Sequence, residues 1–165
     1  NKGAILGNRT GAAIAIKATY DSASFADVLI LQNPSKSLSR LFTRQATEEW
    51  GEIIQALLPA LKRSYEQQTG ISIEDYNYEK MIRSFYIPQM MVAANFNSKN
   101  IINETVAIYH ASAYYRKGLY IENDSYMKPT GFENSKKYYD KISVFINSSI
   151  PSGNRKTRFR KLVMN

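Results

Sequence analysis

The sequence predicts a mainly α-helical, bundle-like single domain. Three observations predict it: apolar residues recur at helical spacing through the middle of the chain, the connections between them are short, and 165 residues suit one domain with a core of its own. A short N-terminal β-hairpin decorates the bundle and an extended basic tail ends it. The expected division is an arm at 1–34, a helical body at 35–150 and a tail at 151–165.

Taken in order, residues 1–10 are punctuated by Gly3 and Gly7 and read as irregular. Ala12–Tyr20 and Phe25–Leu31 read as a strand pair, because Ile14, Ile16, Ala18 and Tyr20 alternate and the second run is rich in β-branched residues. The alanines of the first run leave a helix open. Asn33-Pro34 closes the unit, since the residue before proline avoids helical geometry.

From Thr47 onward Trp50, Ile53, Ile54, Leu57, Leu58, Leu61 and Tyr65 fall on one helical stripe, kinked at Pro59 and closed by Gly70. Ser72, with Asp75 three residues on, opens a helix carrying Tyr78, Met81, Ile82, Phe85 and Tyr86. Pro88 breaks it and opens a short helix through Met90, Met91, Val92 and Phe96. After a polar connector at 97–100, Ile101, Ile102, Val106, Tyr109 and Ala113 form another helix, with Arg116-Lys117-Gly118 as its stop. A loop through Asn123 and Pro129 leads to a last helix near Ser135–Ile146.

Composition removes several chemistries. The absence of cysteine excludes disulfides, thiolate metal sites and a cysteine nucleophile. No apolar run reaches the roughly 18 residues of a membrane span. The first residue is Asn1, so the chain is expected to be processed, a fragment, or the ordered part of something longer. The net charge of +8 sits at the two ends, and an acidic helix lies between them. Such asymmetry suits a polyanion partner or head-to-tail self-association.

No catalytic set is legible. The single histidine, His110, has Thr105, Val106, Ala113 and Tyr114 within helical reach, which supply neither an orienting carboxylate nor an activated nucleophile. It reads as a core or interface histidine. Glu48, Glu49 and Glu52 read as a solvated acidic face, and no loop spacing supports a cation at Glu74, Asp75 and Glu79. The glycines of Gly3–Gly11 lack the Gly-Lys-Ser/Thr ending of a phosphate loop and read without a preceding strand or following helix, hence as a flexible or assembly-ordered arm. No cofactor, metal or small-molecule substrate is expected.

The tail carries the strongest binding signal: Arg155, Lys156, Arg158, Arg160 and Lys161 surround Phe159, combining phosphate attraction with a ring able to stack on a base. A solvated tail or an edge strand is the plain alternative. Lys36, Arg40 and Arg44, spaced by four, line one helix face as a second candidate contact. The 12 tyrosines favour interfaces. These features lead to a non-enzymatic structural or assembly protein contacting nucleic acid, of the virion or nucleoprotein-subunit type, self-associating in a virion or the cytoplasm. The alternative is a helical partner-binding module, of secretion or host-interaction type, whose basic tail docks an acidic protein or lipid surface.

Overall fold

Among the described residues five parallel strands form one sheet, in the order β4-β3-β2-β1-β5. The computed structural model describes residues 3–94, 99–122, 136–150 and 158–162. Strand β1 (Gly3–Asn8), helix α1 (Thr10–Asp21) and strand β2 (Val28–Gln32) open the fold. Helix α2 (Leu38–Trp50), a 3-10 turn (Glu52–Ala56), helix α3 (Leu58–Thr69), a second 3-10 turn (Ile73–Asp75) and helix α4 (Tyr78–Ile82) follow. Strand β3 (Gln89–Ala94), helix α5 (Lys99–Ala111), strand β4 (Lys117–Glu122), helix α6 (Lys136–Ser149) and strand β5 (Arg158–Leu162) complete it.

Alternate residues of β1, β2 and β3 feed two cores. Ile5, Leu29, Leu31 and Met91 point to one face, where Ala12, Ala15 and Ile16 of α1, Ile82 of α4 and Ile108 of α5 cover them. Ala4, Val28, Ile30, Met90 and Val92 point to the other, under Tyr138, Ile142 and Ile146 of α6. A sheet covered on both faces needs no polar alternation, so β2 is buried from end to end.

The expected mainly α bundle is therefore corrected to an α/β architecture. Its strands are short apolar runs, and a run such as Met90-Met91-Val92 has the same hydrophobicity whether it becomes helix or strand. The Pro88 helix is β3, and the helix expected to stop at Lys117 ends instead at Ala111, so that β4 begins at Lys117. No hairpin forms at the N-terminus. β1 and β2 run parallel with Ala4 beside Val28, and parallel neighbours require the crossover that α1 supplies. Gly11, Ala12, Ala13, Ala15, Ile16 and Thr19 are the buried positions of α1, a helical period, while Ile14 and Tyr20 are exposed.

The long stripe from Thr47 is also divided. Gly51 has φ 72°, a left-handed conformation, and ends α2; Pro59 then sits in the first turn of α3, where its missing N–H costs nothing. Gly70 closes α3 at φ 68°. As a result Trp50, Ile53 and Leu57 stay exposed, while Ala46, Ile54 and Leu58 make a small core of their own. The tail is corrected in part: Arg158–Leu162 is a strand paired with β1, Gly3 opposite Arg158. The segments 1–34, 35–150 and 151–165 thus all contribute strands to one sheet. Phe96, the 123–131 loop, Arg155 and Lys156 lie outside the described residues. No helix among the described residues is long and apolar enough to cross a membrane.

Candidate functional site

The turn from β1 into α1 is strained at its tip. Arg9 has φ 51° and ψ −108°, and a non-glycine residue held there costs about 1–3 kcal/mol unless its surroundings fix it. They do: its N–H donates to the Gln32 carbonyl at 2.9 Å, and its own carbonyl accepts from the N–H groups of Ala12 and Ala13 at 3.1 and 3.2 Å. On either side stand Gly7 and Gly11. A Cβ at Gly7 would lie 2.4 Å from the Gly11 carbonyl oxygen, so strand and helix meet backbone to backbone. Gly7-Asn8-Arg9-Thr10-Gly11, between strand and helix, has the spacing and setting of a nucleophile elbow, Gly-x-Ser-x-Gly, with arginine in the serine's place. The sequence reading of this stretch as an arm lacking strand and helix is corrected.

The segment between β2 and β3 folds over this tip. Arg9 Nη2 donates to Glu48 Oε1 of α2 at 2.8 Å, and Gln45 Nε2 donates to Thr10 Oγ1 at 2.7 Å. Between α2, the Glu52–Ala56 turn and the first turns of α5 lies a cleft of about 580 Å³. It opens outside the carboxyl ends of the strands, where ligands of open α/β sheets bind. Glu104 of α5 projects into it from a nearly buried position, accepting from Ser35 Oγ at 2.5 Å. Arg44 Nη1 and Arg40 Nη1 approach the same carboxylate at 3.7 and 3.9 Å. Arg44 is only 14% exposed at its side chain, and its Nη1 is buried without a hydrogen bond. Burial lowers its pKa, the Glu104 charge opposes that shift, and Arg9 adds to it; the two arginines thus share one electrostatic cluster.

The residues expected from the sequence are distributed differently. Lys36 precedes α2 and pairs with Glu79 at 3.7 Å, while Arg40 and Arg44 turn toward Glu104. The three do not form one free face. Arg158, Phe159, Arg160 and Lys161 belong to β5, beside β1 in the sheet. His110 is exposed in the last turn of α5, edge-on to Tyr109 with ring centres 5.4 Å apart. It precedes β4 and so stands at the amino end of the sheet, opposite the end at which Arg9 follows β1. Of the acidic group, Glu48 and Glu52 line the cleft and remain exposed, Glu48 in its pair with Arg9. Sequence reasoning missed Arg9, Ser35 and Glu104; the two glycines four apart around Arg9 were the available signal.

No family model and no curated protein matches the chain. Solved structures do. The fold is similar to Rv0554 from Mycobacterium tuberculosis, at 12% identity and a TM-score of 0.60 over 90% of this chain and 66% of that one. It is similar to MGS-MChE2, an alpha/beta hydrolase enzyme from a lagoon-sediment metagenome, at 14% identity and a TM-score of 0.58 over 88% of this chain. The fold is α/β-hydrolase-like. An acetyl xylan esterase from Paenibacillus sp. R4 gives a TM-score of 0.61 at 16% identity, over 89% of this chain and 45% of that enzyme. The chain spans 66% and 61% of the length of the first two.

The α/β fold overturns the helical body on which the non-enzymatic virion or nucleoprotein subunit and the helical partner-binding module were argued, and the solved structures that share this fold include alpha/beta hydrolase enzymes. The reason for the error is physical. The strands are short apolar runs without alternation, and the one contiguous mark, the glycines four apart around Arg9, lacks the serine that would make it legible. A guanidinium at this elbow is a hydrogen-bond donor with no acceptor lone pair, and does not attack an acyl carbon. It does hold a carboxylate or an oxyanion, and Glu48 beside it is an acceptor for a proton.

Proposed function

We propose that the chain hydrolyses a carboxylic ester by attack of water, in the cleft over the elbow. The observation that carries this reading is Arg9 at the strained tip, in the position from which a hydrolase-type elbow presents its reactive group. Water attacks the acyl carbon and Glu48 takes its proton. The proton then passes to the leaving alkoxide as the ester C–O bond breaks. Arg9 holds the negative charge on the carbonyl oxygen and, after turnover, the product carboxylate. The N-terminal turns of α1 and α5 add a positive field on the same side of the sheet.

The test is hydrolysis of short-chain chromogenic esters by the whole chain and by Arg9→Ala and Glu48→Gln. Each substitution is expected to reduce the rate about a hundredfold, the scale of an oxyanion donor or a general base. A rate equal to the buffer background, or one unchanged in both variants, overturns the proposal.

A further inference from the structure

Two surfaces with exposed apolar side chains lie on opposite sides of the sheet. The first is the segment 50–57 between α2 and α3. Ala46, Ile54 and Leu58 turn inward there to a small core of their own, while Trp50, Ile53 and Leu57 stay outside, Ile53 at 83% exposure. Glu49 and Glu52 flank them, both exposed and neither in an ion pair among the described residues. Exposed apolar side chains clustered in this way and rimmed by polar ones mark an interaction site.

The second is the outer face of α6. Tyr138, Ile142 and Ile146 face the sheet, so the helical period places Lys137, Lys141 and Val144 together on the far side, with Lys136 and Asp140 beside them. All five are exposed, Val144 at 67%, and among the described residues none is in an ion pair. They line a hollow of about 590 Å³, to which Val144 and the lysine stems give an apolar surface. Three lysines against Asp140 leave two positive charges, the complement of Glu49 and Glu52. Complementary charge around an apolar contact selects which surfaces pair. Two copies of the first surface would bring four carboxylates together, and two copies of the second six lysines. Because α2 packs on one face of the sheet and α6 on the other, the two surfaces cannot meet within one molecule.

We infer that the partner of each surface is a second copy of this chain: the segment 50–57 of one copy docks on the outer face of α6 in the next, Ile53 entering the hollow over Val144. The contact is head-to-tail, so it extends into rows of copies unless its rotation closes a ring. Sedimentation velocity on the whole chain tests this. The average mass is expected to rise with concentration at about 0.1 M salt and to return to that of one chain at about 1 M, where the screening length falls from about 10 Å to about 3 Å. Glu49→Lys with Glu52→Lys, and separately Lys137→Glu with Lys141→Glu, should each leave the chain monomeric. An equimolar mixture of the two variants should associate again, since the reversed segment then meets the reversed helix. Ile53→Ser should weaken association of the unaltered chain by about tenfold or more. A chain that stays monomeric up to about 1 mM, a lysine variant that still associates by itself, or a mixture that does not recover overturns the inference. So does Ile53-dependent binding to phosphatidylcholine vesicles by a chain that remains monomeric, which would assign the apolar segment to a lipid surface.

Discussion

Gln32, the last residue of β2, donates its side-chain amide to the phenol oxygen of Tyr138 in α6, closing the second face of the sheet at its carboxyl end. Both residues are buried. Removing only the phenol oxygen leaves a buried amide donor without that bond. Tyr138→Phe is expected to cost about 1–3 kcal/mol, read as a lower urea midpoint at unchanged slope.

Gly7→Ala should be among the most damaging single-atom changes. The added Cβ meets backbone, at 2.4 Å from the Gly11 oxygen and 2.7 Å from the Ala12 nitrogen, so α1 must be displaced from the sheet. A loss of about 3 kcal/mol is expected in chemical denaturation. Gly3→Ala is the control, since nothing lies within 4 Å of a Cβ there, and its effect should stay below about 1 kcal/mol.

Relieving the strain at the elbow should stabilise the fold and remove its chemistry. Arg9→Gly releases a side chain from φ 51° and is expected to gain about 1 kcal/mol in thermal unfolding, offset in part by loss of the exposed Glu48 pair. Carboxylate binding by the same variant should vanish. A variant that loses stability and keeps binding would contradict the role given to this residue.

The domain should also unfold in base. Burial pushes the Tyr78 phenol up to about 12, with the neighbouring Tyr65 and Tyr76 acting in the same direction. In the unfolded chain the group ionises near 10. The stability it contributes is complete below about pH 10 and is lost as pH rises from there through 12, because the unfolded state gives up its proton first. Tyr138 is raised as well, chiefly by burial. Melting temperature is expected to fall across this window, and less steeply in Tyr78→Phe, by an amount equivalent to about 2–3 kcal/mol at its upper end.

The helices were more legible in the sequence than the sheet. The stripe at Tyr138, Ile142 and Ile146 is the buried face of α6, and Gly70 closes α3 as its position implies. The strands were hidden for particular reasons. β1 contains Gly3 and Gly7, poor strand formers retained here for a close helix approach at Gly7. β2 and β3 lack alternation because both faces are covered. In α1, alanines and isoleucines also satisfy a period of two, and only burial of Ala12, Ala15, Ile16 and Thr19 decides for 3.6. The cleft was legible in fragments. Arg40 and Arg44 stood out as a basic pair, but their partner Glu104 arrives from a helix about sixty residues further on. Arg9 carried no signal of its own, because an elbow is recognised by the nucleophile that it here lacks.

Among the described strands β1 is the first in sequence, yet it lies between β2 and β5, about 155 residues further on, with Gly3 beside Arg158. A ribosome adding roughly 5–20 residues per second makes β1 wait about 10–30 s for that neighbour. Throughout this interval the backbone donors and acceptors along Ala4, Ile5 and Leu6 are open to pairing with a strand from another nascent chain. Synthesis therefore carries an aggregation hazard of its own, and slower translation lengthens it.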